Sequence, residues 1–319
     1  MPSVTQAFVL GAGLGTRLRP LTDDLPKPLV PIFQKPLITF AFDHLIDFGV
    51  TKLLVNTHHR PEKFRAAFRD SKYRDVCIEF HHEPDLLETA GGIANIADSV
   101  GNEPLLVYNA DILTDLPLAP LLDCHFRGEN LVTLVLRSGN GPKHIAFDSA
   151  QSRILDIRNQ LQTGAPETFV FSGVYLIDRK FVDFLNRGVK RSVIPVFLEL
   201  IKRGEKIGGV VIDEGRWWDV GNRSAYLELH KELLALKFPN YPLAEPDWKT
   251  LIHASATIDP TAALSGCTVV GRGCRIGPEA VVRDTILWEG SQIASRSLLA
   301  GCIVRAHRNV NGTHRNVDI

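Results

Sequence analysis

The stretch VLGAGLGTRLRPLTDDLPKPLVP, Val9 to Pro31, joins an apolar run to three closely spaced glycines. The apolar run predicts a buried β-strand, and the glycines let the backbone after it turn sharply and approach a ligand. Successive N–H groups in such a turn form a concave site for anions. The stretch therefore predicts a strand that ends in an anion-binding loop, at the edge where α/β sheets bind their ligands.

Two familiar phosphate-binding motifs do not describe this loop. Thr16 occupies the third glycine position of the dinucleotide fingerprint G-x-G-x-x-G, and the G-K-[ST] of the Walker motif does not occur. Arg17 and Lys27 nevertheless favour a polyphosphate ligand, because a guanidinium fork and an ammonium group both bind phosphate oxygens. The flanking residues Pro26 and Pro28 predict an extended conformation around Lys27.

The rest of the first 130 residues alternates strand-like with helix-like segments. Strands are predicted at AFVLGA, KLLVNTH, CIEFHHE and LLVYNAD, and helices at PLITFAFDHLIDFG, PEKFRAAFRD and AGGIANIADSV. This order predicts an α/β fold with a Rossmann-like, mostly parallel sheet. More β-rich segments follow between 130 and 220, and SAYLELHKELLALK predicts a closing helix. We therefore predict a first domain over residues 1–237.

A six-residue period marks the end of the chain. Aliphatic or small residues recur at every sixth position from Ile252 to Ala306, with glycines between them. This period predicts a short left-handed parallel β-helix of hexapeptide repeats over residues 251–319, with alanines at the last key positions as a degenerate capping end. The proline-rich segment before it predicts a linker at 238–250.

The combination AGLGTRLRPLT…PKPLVPI resembles the signature of the sugar-1-phosphate nucleotidylyltransferases, or nucleotide-sugar pyrophosphorylases. These enzymes join a nucleoside triphosphate (NTP) to a sugar 1-phosphate and release pyrophosphate. The hexapeptide tail is similar to the mannose-1-phosphate guanylyltransferase branch. EPDLLETAGGI (83–93) and FVFSGVYLID (169–178) instead resemble N-acetylmuramate-1-phosphate uridylyltransferases, so the base and the sugar stay open. The family's V-E-K-P motif is missing, and ILDIRNQ (154–160) stands near its place.

The resemblance implies roles for individual residues. It implies that Arg17 binds the leaving phosphates and Lys27 the reacting phosphates, and that Asp111 and Asp219, in WWDVGN, bind Mg²⁺. Asp111 also ends the apolar run LLVYNAD, where ligands bind, and Mg²⁺ takes few carboxylates beside phosphate oxygens; Asp115 is a weaker candidate. The implied nucleotide contacts are Leu10, Gly11, Ala12, Gly13, Gly15, Thr16, Thr89 and Gly91. The implied sugar contacts are Glu88, Asn109 and Gly173, and Lys143 is a candidate for the family's second lysine.

Composition limits the alternatives. Lys+Arg and Asp+Glu both number 36, so no overall charge attracts the chain to nucleic acid or to an anionic membrane. The five cysteines contain no C-x-x-C pair, and no apolar run reaches the roughly 20 residues that span a bilayer. We expect a cytoplasmic enzyme that acts on an NTP and a sugar 1-phosphate and forms a homo-oligomer. The remaining alternatives are a non-catalytic nucleotide-sugar-binding homologue and a hexapeptide acyltransferase.

Overall fold

A computed structural model describes residues 4–139, 141–164, 167–235 and 248–319. The predicted linker, 238–250, lies outside the described residues except for 248–250. The chain forms two compact units, one of Met1–Leu14 and Ile38–Asp219 and the other of Gly15–Leu37 and Val220–Ile319. None of the described helices combines the length and the apolar character that crossing a membrane requires.

The elements are numbered along the chain. The strands are β1 (Gln6–Leu10), β2 (Pro31–Ile32), β3 (Lys35–Pro36), β4 (Lys52–Thr57), β5 (Lys72–Tyr73), β6 (Val76–His82), β7 (Leu105–Asn109), β8 (Ile112–Thr114), β9 (Val132–Arg137), β10 (Ile145–Asp148), β11 (Arg153–Ile157), β12 (Thr168–Ile177), β13 (Ile207–Val211), β14 (Trp217–Asp219), β15 (Thr257–Ile258), β16 (Ala263–Ser265), β17 (Val269–Val270), β18 (Arg275–Ile276), β19 (Val281–Arg283), β20 (Ile286–Leu287), β21 (Gln292–Ile293), β22 (Leu298–Ala300), β23 (Ile303–Val304), β24 (Asn309–Val310) and β25 (Thr313–Arg315). The helices are α1 (Ile38–Asp47), α2 (Pro61–Ala67), α3 (Glu88–Asn95), α4 (Ala119–Gly128), α5 (Arg179–Asp183), α6 (Val193–Lys202) and α7 (Arg223–Ala235).

The first unit is built on a ten-stranded sheet in the order β10-β11-β13-β9-β12-β7-β1-β4-β6-β5. Strands β7, β1, β4 and β6 run parallel, whereas β12 is antiparallel to both β7 and β9. The α/β prediction is confirmed, but the sheet is mixed rather than mostly parallel. A parallel connection needs a crossover, usually helical, and the described residues between β9 and β12 contain no helix.

The parallel part of the sheet is apolar on both faces. Phe8, Leu54 and Val107 are fully buried on neighbouring strands, and Ile93 of α3 and Phe197 of α6 belong to the same core. Burying each such side chain contributes about 1.5–3 kcal/mol, so the core holds these strands rigidly. Because β1, β4 and β7 are parallel, their carboxyl ends lie at one edge of the sheet. The predicted site residues follow these ends.

The C-terminal part of the second unit contains three sheets of parallel strands, β15-β18-β21-β24, β16-β19-β22-β25 and β17-β20-β23. We call residues 248–319 the parallel-strand domain. Strand β18 follows its partner β15 by 18 residues (Thr257↔Arg275), and β21 follows β18 by only 17 (Arg275↔Gln292). The domain therefore repeats with nearly the expected length, and one residue is lost part-way along.

This lost residue corrects the predicted period. Buried aliphatic residues follow the expected six-residue spacing from Ile276 to Val282 and then continue at Leu287, Ile293 and Leu299. The phase shifts by one residue in the short turn after β19. The alanines at 294 and 300 therefore follow core positions, and they do not mark a degenerate end of the repeat.

The segment Gly15–Leu37 is attached to the rest of the second unit by polar contacts. The Phe33 N–H donates to His230 Nε2 at 3.1 Å, and His230 Nδ1 contacts the Tyr226 carbonyl at 2.8 Å, which requires a proton on Nδ1. The Tyr226 hydroxyl donates to the Pro31 carbonyl and accepts from Trp288 Nε1. His230 therefore serves this attachment as a neutral imidazole.

We expect this attachment to be sensitive to acid. Burial lowers the pKa of His230 to about 4, although its bond to the Tyr226 carbonyl opposes the shift. An unfolded histidine has a pKa of about 6.5, so between these values only the unfolded chain takes up the proton, and stability falls as the pH falls through this window. The free energy of unfolding should lose about 2 kcal/mol at about pH 5 through this residue alone. Denaturant unfolding of the wild type and of His230→Gln should show a smaller loss in the variant, and equal pH slopes would contradict the assignment.

Candidate active site

Gly11, the first residue after β1, is held tightly against β4. Its N–H donates to the Asn56 side-chain oxygen at 2.8 Å. A Cβ at Gly11 would lie 2.8 Å from the Asn56 carbonyl oxygen and 3.2 Å from Val55 Cγ1, so only glycine fits. The prediction that the N–H groups of all the loop glycines face phosphate is therefore wrong for Gly11, whose donor is already used inside the protein.

A buried polar pair beneath the glycine loop was not found from the sequence. Asn56 and Glu83 are both buried, and the Asn56 amide donates to Glu83 Oε1 at 2.7 Å. Glu83 Oε2 accepts the Leu87 N–H at 3.0 Å, and a Cβ at Gly92 would lie 2.9 Å from both the amide and the carboxylate. The pair therefore links the glycine loop to the loop that precedes α3. Asn56, a lone polar residue inside the apolar run KLLVNT, is the signal that could have indicated it.

Gly13 differs from Gly11, because no described atom lies within 4 Å of the position that its Cβ would take. The residue is exposed and does not have a positive φ. Its lack of a side chain is therefore not required by the folded chain itself. Open space beside a glycine at the carboxyl edge of the sheet fits the predicted close approach of a ligand.

We expect Gly13→Ala to fold normally and to raise the KM for the NTP by about tenfold, since the new methyl group occupies the space that the ligand would use. Steady-state kinetics with varied NTP and a thermal melt would measure both effects. Gly139→Ala is the matched control, because Gly139 also has open space and no positive φ. An unchanged KM in Gly13→Ala would place the nucleotide elsewhere.

Asp111 and Asp219 are brought together by a short antiparallel pairing. Strand β14 pairs with β8 so that Asp219 lies directly across from Ile112, the residue that follows Asp111. The Ala110 N–H donates to the Leu10 carbonyl at 3.3 Å, which ties the same turn to the end of β1. Asp111 is half-buried and Asp219 is exposed. Two carboxylates more than a hundred residues apart in sequence thus lie beside the glycine loop.

The predicted sugar contacts Asn109 and Gly173 are also neighbours. Gly173 has a φ of 81°, and a Cβ there would overlap Ile112 Cδ1 and lie 2.7 Å from Asn109 Nδ2. The register of β12 is irregular at this point, and Trp217 Nε1 donates to the Ser172 carbonyl at 2.8 Å. Gly173 is therefore required by the close approach of β12 to the Asp111 turn.

The predicted contacts on α3 have different surroundings. The first residue of the helix, Glu88, has a φ of 60° and is exposed, and Thr89 is half-exposed. The Gly91 N–H donates to the Arg191 carbonyl at 3.2 Å, and a Cβ at Gly91 would lie 2.5 Å from the Val189 carbonyl oxygen. The backbone of Gly91 thus faces a neighbouring segment of the protein, which corrects its prediction as a nucleotide contact.

In the second unit, Lys27 packs beside Gly15. Gly15 has a φ of 62°, and a Cβ there would lie 3.1 Å from the Lys27 Cβ. The Thr22 hydroxyl donates to the Gly15 carbonyl at 2.8 Å. Lys27 is only 8% exposed, whereas Thr16 and Arg17 are exposed in the 3₁₀ turn Thr16–Leu18.

The predicted extended conformation at Lys27 is wrong, because Lys27 begins a 3₁₀ turn, Lys27–Leu29. Pro28 is tolerated there because a proline needs no N–H partner in the first turn of a helix.

A family model described as nucleotidyl transferase matches residues 6–235, which is more than half of the chain. The chain belongs to the nucleotidyl transferase family. A second model, described as the GMPPB C-terminal domain, matches residues 248–317. The resemblance drawn from the glycine loop and the tail is thus confirmed at the level of the family.

Individual relatives agree with this assignment. This nucleotidyl transferase is 32% identical over 302 residues to a mannose-1-phosphate guanylyltransferase of Mycobacterium tuberculosis, covering 93% of this chain and 82% of that protein. It is 23% identical over 355 residues to a UTP–glucose-1-phosphate uridylyltransferase of Synechocystis, covering 98% and 90%. A Bacillus anthracis structure described as a glucose-1-phosphate thymidylyltransferase aligns with a TM-score of 0.64 and 18% identity, covering 75% of this chain and 98% of that one. The last match shows that the fold is shared.

The carboxylates of this nucleotidyl transferase fit the Mg²⁺ that the resemblance implies. Mg²⁺ prefers oxygen ligands and is commonly held by one or two carboxylates together with substrate phosphates and water. Asp111 and the strand-paired Asp219 supply such a pair at the end of β7. Within the described ranges there is no group of three or more His, Cys, Asp or Glu side chains that could hold a metal. Lys143 is exposed, outside these contacts.

Proposed function

We propose that this protein transfers a nucleotidyl group from an NTP to a sugar 1-phosphate and releases pyrophosphate. The observation that supports this most directly is the β8–β14 pairing, in which Asp219 lies across from the residue next to Asp111. Carboxylates beside a glycine loop at the carboxyl edge of a sheet suit a ligand rich in phosphate. Membership of the nucleotidyl transferase family supports the same reaction.

The proposed chemistry is an in-line displacement. A phosphate oxygen of the sugar 1-phosphate attacks the α-phosphorus of the NTP, and the bond to the pyrophosphate leaving group breaks. The nucleophile is already anionic, so no side chain has to remove a proton, and catalysis consists of positioning and charge neutralisation. Asp111 and Asp219 would hold Mg²⁺, which when bound neutralises charge on the phosphate oxygens. Lys27 neutralises charge on the reacting phosphate and Arg17 on the leaving phosphates.

For the substrates, we propose GTP and mannose 1-phosphate. The 32% identical relative carries the name of that activity, and the tail matches the GMPPB C-terminal domain. The segment Glu88–Gly92, with the sequence ETAGG, favours uridylyl transfer to an amino sugar as the second candidate, by its resemblance to the uridylyltransferase type. The two candidates differ in both the base and the sugar, so one experiment separates them.

The test is a pyrophosphate-release assay of four NTPs, each combined with a small panel of sugar 1-phosphates including mannose 1-phosphate and N-acetylmuramate 1-phosphate. We expect the highest kcat/KM with GTP and mannose 1-phosphate. Highest turnover with UTP and the amino sugar would favour the second candidate. NTP binding without pyrophosphate release from any pair would indicate a non-catalytic homologue. The fold of the tail and its assembly belong to the same proposal.

We also propose that the parallel-strand domain is a left-handed β-helix of hexapeptide repeats and that the enzyme is a cytoplasmic homo-oligomer. The 17- and 18-residue offsets between paired strands support the repeat, and the five free cysteines suit a reducing compartment. Light scattering of the intact chain would test the assembly.

A further inference from the structure

We propose that Arg305 of the parallel-strand domain is a positioning residue for the loop that carries Arg17 and Lys27. Its guanidinium donates to Asp24 Oδ2 at 3.0 Å and to the Pro20 carbonyl at 3.2 Å. The inference rests on the proposed function for the roles of Arg17 and Lys27, while the contacts of Arg305 stand independently of it.

The two contacts lie at the centre of the loop. Pro20 comes three residues after Arg17, and Asp24 comes three residues before Lys27. Between them, Leu21 and Thr22 are fully or almost fully buried. Arg305 therefore fixes the middle of the segment that separates the two proposed phosphate-binding cations.

Arg305 is itself well held. Its side chain is 17% exposed, and its Nε donates to the Ile319 carbonyl at 3.3 Å. Arg308 adds a second cation, which donates to Asp24 Oδ2 at 3.2 Å. An isolated exposed ion pair contributes little, about 0–1 kcal/mol, but a guanidinium fixed by three acceptors loses less entropy when it binds. The Arg305–Asp24 contact can thus hold the loop in one conformation.

The other end of the loop is attached by different means. Gln34 donates through its side chain to the Thr250 carbonyl at 3.0 Å and through its backbone to the Trp248 carbonyl at 3.2 Å. Phe33 packs edge-on against the Trp248 ring. Because this end stays anchored when Arg305 is replaced, a substitution there should loosen residues near 20–27 without detaching the whole segment.

The consequence is a role for the parallel-strand domain in catalysis. A loop held in its reactive conformation before the substrate arrives spends less binding free energy on ordering. Since Lys27 would act on the reacting phosphate, loosening of the loop should lower kcat more than it raises the KM for the sugar 1-phosphate. A contact that served only overall stability would change the melting temperature and leave both kinetic constants unaltered.

The test compares the wild type with Arg305→Met/Arg308→Met and with Asp24→Asn. We expect kcat for pyrophosphate release to fall about fivefold in each, corresponding to about 1 kcal/mol, with no further fall when the changes are combined, because they remove the same interaction. Arg305→Lys should recover part of the loss, since an ammonium group can keep the contact with Asp24. Arg296→Met is the matched control, because Arg296 pairs with Glu279 inside the same domain.

Hydrogen–deuterium exchange of the intact protein tests the inference without activity. We expect faster exchange in peptides covering residues 15–30 for both variants and unchanged exchange there for Arg296→Met. Unchanged exchange in this segment, or additive losses of kcat, would overturn the positioning role. A wild type that releases no pyrophosphate from any substrate pair would sink the proposed function, and the exchange experiment would still decide the role of Arg305. Asp24→Asn covers the case in which the arginine variant does not fold.

Discussion

Asp111→Asn is expected to lower kcat for pyrophosphate release by about a hundredfold to a thousandfold, the range seen when one charged contact to a transition state is lost. The asparagine keeps the size of the side chain and one acceptor oxygen, so the turn between β7 and β8 should survive. It removes one negative charge from the pair formed with Asp219 across β8 and β14. Steady-state pyrophosphate release at saturating substrate would measure the loss.

Asp115→Asn is the matched control for this experiment. Asp115 follows β8, and its carboxylate already accepts the backbone N–H of Arg216. An asparagine oxygen can accept the same hydrogen bond, so we expect kcat within about threefold of the wild type. A large loss in Asp115→Asn together with a small one in Asp111→Asn would transfer the proposed metal site to Asp115. Equal losses would indicate a general effect on the β8–β14 pairing.

The local parts of this site could be predicted from the sequence because each depends on a short segment. The glycine loop follows directly from the end of an apolar strand, and the resemblance identified Asp111 and Asp219 from their immediate neighbours. Their pairing could not be predicted, because β8 and β14 are strands of only three residues with weak local signals. The Asn56–Glu83 pair was missed for the same reason, since its meaning depends on two loops meeting below the sheet edge.

The glycines show why a motif predicts a place more safely than a role. Gly11 and Gly91 are both required by contact with a carbonyl oxygen of another segment, at Asn56 and Val189 respectively. Gly13 has open space instead. In one sequence all three have the same signal, a glycine beside an apolar segment. Only the packing around each glycine distinguishes a residue that admits a ligand from one that admits another strand.

The parallel-strand domain was predicted from its period, but its contact with the loop was not. The sequence places Gly15–Leu37 with the strands that surround it, whereas its contacts group it with Val220–Ile319. The contacts responsible, including those of Asp24 and Phe33, join residues about two hundred or more positions apart. No short-range pattern reports such a pairing, because it arises when both segments are already folded.

Lys27→Met is expected to lower kcat by about a hundredfold or more while the protein stays folded. Methionine keeps most of the apolar stem that packs beside Gly15, so the 3₁₀ turn Lys27–Leu29 should form as before. What is lost is the ammonium group, which in the proposed mechanism neutralises charge on the reacting phosphate. Single-turnover measurement of pyrophosphate release would separate this effect on chemistry from any effect on product release.

Lys206→Met and Lys27→Arg complete this experiment. Lys206 is an ordinary half-exposed lysine that contacts Glu129 at 3.4 Å, and its replacement should leave kcat within about twofold. Lys27→Arg keeps the charge but needs more space than an 8% exposed position offers, so we expect it to recover only part of the activity. Full activity in Lys27→Met would remove Lys27 from the mechanism. If Lys27→Arg were as inactive as Lys27→Met, the position would demand a compact ammonium group, because charge alone would not be sufficient.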